Sequence, residues 1–200
     1  MTGKPHDRRA RFEAMFAADP DPWGFRTRAS EQAKFRATRD ALAGRRYARG
    51  IEVGCANGEL TGFLAPQCRR LDALDVAQSA LDLARAHVDA QGHGNGVRFR
   101  QAEVPRDWPD GPADLIVLSE VLYFLTPDEL GTLATRIAGT LEPGGDLLVV
   151  NFTGPTEEPL SGRQAADRLC AALSAQVAMT GMLERTGPTW RLQLLRRAAG

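Results

Sequence analysis

Ile51 and Val53 lead into Gly54, a second glycine follows at 58, and a further apolar run from Leu71 to Val76 carries Asp75 near its end. A strand that enters a glycine-bearing turn and helix, then a second strand closed by an acid, constrains a chain strongly. It forms one right-handed β-α-β crossover and so commits the sheet to parallel pairing. Glycine has no Cβ, so the turn can bend sharply and bring backbone close to a ligand. The helix that follows points its free amide groups at the same place. Asp75 comes about 20 residues after Gly54, where an acid ending the second strand accepts hydrogen bonds from vicinal ribose hydroxyls. The expected ligand contains adenosine.

Two cofactor classes use this layout. A dinucleotide fingerprint needs glycines at its first, third and sixth positions, which here hold Gly54, Ala56 and Glu59. Glu59 would set a carboxylate beside a pyrophosphate. S-adenosylmethionine has no phosphate and carries a sulfonium cation, so it tolerates the acid. The residues favour the methyl donor, with a nicotinamide as the alternative. An ordinary strand-to-helix turn is the bland reading.

Along the chain, residues 50–53, 71–75, 97–101, 115–119 and 147–152 read as five strands, with helical patterns near 58–67, 77–90 and 127–142 between several of them. Three glycines within 92–96 mark a turn, and Glu142-Pro143-Gly144-Gly145 is a helix stop followed by entry to the fifth strand. Residues 163–174 read as a helix. Residues 176–184 and 189–196 read as two antiparallel edge strands joined at Gly187-Pro188. Upstream, residues 1–11 read as a frayed polar tail. Arg11 to Ala18 forms a short helix ended by Asp19-Pro20-Asp21-Pro22, and a longer helix spans 30–42 with Ser30 as its cap. The expectation is an α/β doubly wound, mostly parallel sheet (47–200) beneath an N-terminal helical lid (1–46), in one structural domain.

The segments Ile51-Glu52-Val53-Gly54-Cys55-Ala56-Asn57-Gly58-Glu59-Leu60-Thr61, Leu64-Ala65-Pro66-Gln67-Cys68-Arg69-Arg70-Leu71 and Asp114-Leu115-Ile116-Val117-Leu118-Ser119-Glu120-Val121-Leu122-Tyr123 resemble the NodS-like S-adenosylmethionine-dependent methyltransferases. Asp21-Pro22-Trp23 belongs to the same resemblance, which covers most of residues 12 to 152. It implies a seven-stranded Rossmann-like methyltransferase fold. The founding members N-methylate a de-N-acetylated chitooligosaccharide, so the resemblance implies a small-molecule acceptor, an amine or amino sugar. It also implies that Ala102 and Glu103 stand where the class holds the adenine. The usual residue there is aspartate, so Glu103 is a departure, with a solvated surface acid as its alternative reading. Where the family typically has an aromatic residue, this chain has Ser30, which implies an altered acceptor pocket.

Methyl transfer from a sulfonium needs little covalent help, because the leaving group departs neutral; the protein must align the nucleophile and exclude water. Ligands of open α/β sheets sit at the carboxyl ends of strands. Ser119, ending the fourth strand, is therefore expected against the methionine portion, with Glu120 and Tyr123 facing the acceptor as catalytic groups. For Glu120 a purely structural pairing, and for Tyr123 core packing, are the alternatives. Gly54, Cys55 and Gly58 form the turn, Asp75 and Val76 meet the ribose side, and Glu52 braces the turn and meets the methionine ammonium. Trp23 closes over cofactor or acceptor, since indole favours cations, or packs the lid. Lys34 and Arg36 read chiefly as a solvated helix face, with the methionine carboxylate as a second role. Asn151 opens a loop on the ligand side.

Basic and acidic residues number 25 each, so nothing points to a polyanionic partner such as nucleic acid, although a local basic patch stays open. Only Lys4 and Lys34 are lysines, the arginine-heavy usage of a GC-rich bacterial genome. Cys55, Cys68 and Cys170 share no ligand spacing, and His6, His87 and His93 do not cluster, so no disulfide framework or metal is expected. The start is not a secretory signal and no apolar run reaches the roughly 18 residues of a membrane span. The chain reads as cytoplasmic. A cofactor-binding protein without turnover is the remaining alternative to an enzyme.

Overall fold

A computed structural model describes residues 7–200. Two helices, α1 (Arg8–Ala18) and α2 (Ala29–Ala41), precede β1 (Tyr47–Val53), α3 (Glu59–Leu64), β2 (Cys68–Asp75), α4 (Gln78–Ala90) and β3 (Val97–Gln101). Then come β4 (Ala113–Ser119), α5 (Pro127–Thr140), β5 (Leu141–Phe152), α6 (Gly162–Ser174), β6 (Met179–Thr186) and β7 (Trp190–Arg197). The seven strands lie in the order β3-β2-β1-β4-β5-β7-β6, parallel except for β7, which runs antiparallel to both β5 and β6. The strand order reverses between β1 and β4, so a crevice opens at the carboxyl ends of those two strands.

Local chemistry explains the elements. Thr126 and Glu129 make a reciprocal capping box ahead of α5, with Pro127 in its first turn, and Leu130, Leu133, Ala134 and Ile137 turn one stripe inward. Ser161 and Gln164 do the same for α6. The stripes of α5 and α6 bury Ile116, Leu118, Leu147 and Val149 on one face of the sheet. Phe35, Leu42, Leu60 and Leu64 from α2 and its end and from α3 cover Leu115, Val117, Leu148 and Val150 on the other. β4 and β5 are apolar on both faces because both are covered. A fully buried acid, Asp146 in β5, accepts from Tyr47 Oη at 2.8 Å, Arg45 Nη1 at 2.9 Å and Arg196 Nε at 2.7 Å, which satisfies a charge that burial would otherwise penalise.

The boundaries depart from expectation in several places. Residues 8–11 are the first turn of α1, capped by Asp7 Oδ1 on Ala10 N, and not a frayed tail; residues 1–6, including His6, lie outside the described part. α2 begins at Ala29 with Arg28 in the cap position, so Ser30 is inside the first turn and caps nothing. α3 stops at Leu64 and gives way to a 3-10 turn over Ala65–Gln67. β5 follows α5 at Leu141 without a free loop: its register to β4 jumps from Ala113↔Leu141 to Leu115↔Asp146, so the Pro-Gly-Gly stretch bulges inside the strand. β6 starts at Met179, later than the pattern suggested.

Candidate functional site

The crevice widens into a cavity of about 500 Å³ between the carboxyl ends of β1, β2 and β4 and the two N-terminal helices. Val53, Gly54, Cys55 and Ala56 form its floor, with Asp75 and Val76 on one flank and Ser119, Glu120, Val121 and Tyr123 on another. Of the residues expected at the cofactor, Trp23, Gly54, Cys55, Asp75, Val76, Ala102, Glu103 and Ser119 reach this cavity, whereas Glu52 and Gly58 are not part of its lining.

The turn has a different logic from the one sequence suggested. Gly54 and Gly58 adopt left-handed φ of 78° and 86°. A Cβ on Gly54 would come within 2.3 Å of Val121 Cγ1, and one on Gly58 within 2.7 Å of Ala84 Cα. The glycines thus make room for neighbouring protein, and the ligand-facing surface is the backbone between them. Ala56, at φ 49°, is held in that region by its N–H, which donates to Asp75 Oδ2 at 2.9 Å. Asp75 Oδ1 accepts from Ala77 N at 3.0 Å. Burial raises the Asp75 pKa and these amides oppose the rise. Each oxygen keeps a second lone pair for a hydroxyl donor.

Glu52 is wholly buried beneath the turn, and neither its carboxylate oxygens nor the hydroxyl of Thr61 has a hydrogen-bond partner. Burial pushes its pKa up to about 8. Its carboxylate lies outside the lining of the cavity. The Cys55 thiol packs against Ala73, Leu81 and Ala84, and burial holds its pKa well above the ordinary thiol value, so only the backbone of Cys55 serves the cavity. Asn57, missed from sequence, lines the cavity with Oδ1 buried and unpartnered, while its Nδ2 donates to Asp21 Oδ1 at 3.1 Å. Asp21 also accepts from Phe25 N at 2.7 Å. The Asp-Pro-Trp segment is therefore pinned directly onto the glycine turn.

Glu120 has φ 60°, in a region most residues avoid. Its Oε1 lies 2.7 Å from Lys34 Nζ, and its Oε2 accepts from Phe152 N at 2.6 Å and Tyr123 Oη at 3.1 Å. Lys34, 4% exposed, also reaches Glu31 Oε2 at 2.7 Å. It is the buried hub of three charges and not a solvated face, whereas Arg36 on the same helix is exposed. Burial alone would depress the Lys34 pKa, and the charges of Glu120 and Glu31 overcome it to give a net rise. Burial and then Glu120 raise the Tyr123 phenol, which stays protonated with its hydrogen directed at that carboxylate.

Glu103 sits at the cavity but its carboxylate is engaged by Arg8 Nη2 at 3.1 Å and Arg106 Nη2 at 3.2 Å. Arg8 also donates to Phe124 O at 2.9 Å and Glu129 Oε2 at 2.8 Å, and Arg11 Nη1 reaches Glu158 Oε1 at 2.8 Å. These contacts draw α1 over the opening. Trp23 stacks on Phe25 with centroids 5.4 Å apart and meets Phe16 edge-on at 5.5 Å, so it both packs the helices and walls the cavity. Six of the eight phenylalanines, at 12, 16, 25, 35, 124 and 152, line this one space and make it chiefly aromatic. Sequence offered only their clustering before residue 36 as a signal. Glu59 receives Arg26 Nε at 3.0 Å, Gln32 Nε2 at 3.3 Å and His87 Nε2 at 3.3 Å. Asn151 is buried and outside the cavity lining; Phe152 lines the cavity instead. Among the described residues no group of three His, Cys, Asp or Glu side chains is placed to hold a metal, and no helix is long and apolar enough to cross a membrane.

Residues 51–145 match the family described as a methyltransferase domain. Nodulation protein S of Rhizobium tropici is 33% identical over 186 residues, covering 92% of this chain and 76% of that protein. Nodulation protein S of Bradyrhizobium diazoefficiens is 36% identical over 118 residues, covering 56% of this chain and 53% of that protein. The crystal structure of the N-methyltransferase NodS from Bradyrhizobium japonicum WM9, in complex with S-adenosyl-L-homocysteine, superposes with a TM-score of 0.76 at 24% identity over 98% of this chain and 99% of its own. The adenosine-sized cavity, the acid at 75 and the orphaned acceptor on Asn57 fit a methyl-donor cofactor, and the nicotinamide alternative falls. The chain belongs to the NodS-like family of S-adenosylmethionine-dependent methyltransferases.

Proposed function

We propose that this enzyme N-methylates a small-molecule amine, with an amino sugar as one acceptor class, in the cytoplasm. When bound, S-adenosylmethionine supplies an electrophilic methyl group on a cationic sulfur. In this reading Asp75 takes the ribose hydroxyls, and Val76, Ala102 and Val104 sandwich the adenine. The Gly54–Cys55 backbone, Asn57 Oδ1 and Ser119 hold the amino-acid portion, and Trp23 covers it. Glu103 acts through its pairing with Arg8 to keep α1 in place.

The observation that carries the proposal is the commitment of the Tyr123 proton to Glu120 Oε2 at 3.1 Å. With that proton spent, the phenol oxygen offers only lone pairs to the cavity and can accept an N–H of the acceptor. Glu120 already accepts three hydrogen bonds, from Lys34, the Phe152 amide and Tyr123, and its charge is committed to those partners. An alcohol needs its proton removed as it attacks, whereas a neutral amine attacks with its own lone pair. The cluster of Glu31, Lys34 and Glu120 is net negative, so it stabilises the positive charge that builds on the attacking nitrogen. The aromatic walls favour the same cation. Tyr123 and Glu120 are thus assigned as orienting and electrostatic groups.

The test is incubation with S-adenosylmethionine and a panel of matched amines and alcohols, glucosamine oligomers included, with S-adenosylhomocysteine release as the readout. Turnover of amines with none of the alcohols is the expected outcome. Preferential turnover of alcohols overturns the proposal.

A further inference from the structure

The connection from β3 to β4, residues 102–112, contains no helix, unlike the α4, α5 and α6 connections. One face of the β2–β3 edge therefore lacks the helical cover that a doubly wound sheet places there. In the parallel register Asp72 lies beside Arg98 and Leu74 beside Arg100, while Arg49 lies beside Arg70. Cross-strand partners point to one face, so four arginines from three adjacent strands gather on it. They line a cleft of about 220 Å³ together with Asp72, Asp110 and the apolar Leu74 and Pro109.

The charges are not mutually cancelled. Asp72, buried, is held by Arg49 Nε at 2.7 Å and by Arg70 Nη2 at 3.1 Å. Arg49 is also fixed through Nη1 on the carbonyls of Asp110 at 2.8 Å and Pro112 at 3.0 Å, which builds the cleft wall. Arg98 and Arg100 are exposed and make no hydrogen bond or ion pair among the described residues. The cleft therefore carries net positive charge and unspent guanidinium donors in a chain whose overall charge is zero. Phe99, between them, turns the other way onto α4 and so fixes the face the two arginines take.

We propose that this cleft is a binding site for a small multivalent oxyanion of the phosphate class, gripped by Arg98 and Arg100 and oriented by the fixed Arg49. Planar guanidinium groups match the oxygen spacing of such anions two bonds at a time. The cleft is too small and too confined for an extended polyanion. It is separate from the methyl-donor cavity, with which it shares only Leu74.

Calorimetric titration with inorganic pyrophosphate, on protein saturated with S-adenosylhomocysteine to occupy the other cavity, tests this. One site per chain is expected, weakening as salt rises. The Arg98→Ala/Arg100→Ala double variant should lose about tenfold or more in pyrophosphate affinity with unchanged S-adenosylhomocysteine affinity. The single variants Arg98→Gln and Arg100→Gln, each gentler on the fold, should each lose about threefold. No binding to the wild-type protein, or equal binding by the variants, overturns the site and leaves the arginines as guards of an exposed edge strand.

Discussion

Lys34 Nζ stands 2.7 Å from Glu120 Oε1, joining the second N-terminal helix to the end of strand β4. The pair is buried on the lysine side, and both residues line the cavity. Removing one partner leaves the other charge without compensation in a poorly solvated place. Lys34→Met should therefore destabilise the protein by about 3 kcal/mol, read from urea unfolding, because Glu31 and Glu120 are then left to repel each other. Adding Glu120→Gln should recover part of the loss. Additive effects of the two changes would show that the contact carries no coupling energy.

Asp75→Ala removes the acceptor proposed for both ribose hydroxyls and the anchor of Ala56 N. Affinity for S-adenosylhomocysteine, measured by calorimetry, should fall by about 1 to 3 kcal/mol. Unchanged affinity would remove Asp75 from the cofactor site.

Tyr123→Phe keeps the ring and deletes the oxygen proposed to orient the acceptor. The expected result is a kcat lower by about 10- to 100-fold, with S-adenosylhomocysteine affinity unchanged and stability within about 1 kcal/mol. A variant with full kcat assigns Tyr123 to packing alone.

Glu52 gives a pH-dependent stability of definite sign. Its pKa is about 8 when folded against 4.5 when free, so between those values the folded state retains a proton that the unfolded chain has released. Stability from this group therefore falls as pH rises from 4.5 to 8 and levels off above. Glu52→Gln keeps the shape without the titration. It should be more stable than the wild type at pH 8.5 by on the order of a few kcal/mol, with the gain shrinking toward pH 5. A gain independent of pH would mean that Glu52 is solvated in the folded protein.

Much of the sheet was legible because its signal is local: Leu115 to Ser119 and Leu147 to Phe152 are continuous apolar runs, and the capping residues of α5 and α6 are written beside them. Asp75 at the cavity follows from the same regularity. Lys34 was misread because its partner Glu120 lies 86 residues away in sequence, and a helix read alone gives no reason to bury a lysine. The burial of Glu52 and Asn151 outside the cavity was not legible because alternation along a strand fixes a face without saying how deep the end of that strand lies under the next layer. The start of β5 escaped since Pro143, Gly144 and Gly145 read as a loop, whereas pairing resumed across them by a register shift. The aromatic walls come from α1, α2, the segment between them and two later segments, and only tertiary folding brings those together.

Glu13 of α1 accepts from the backbone amides of Gln78 at 2.7 Å and Ser79 at 3.2 Å, while the cap residue of α4, Ala77, has no side chain able to do so. The first helix therefore completes the start of another helix that is remote in sequence. Shaving off the leading residues to simplify the molecule would strip two amides of their acceptor and fray α4 at the end next to Asp75. What looks like a detachable cover is also part of the foundation, and any trimmed version inherits a looser nucleoside wall.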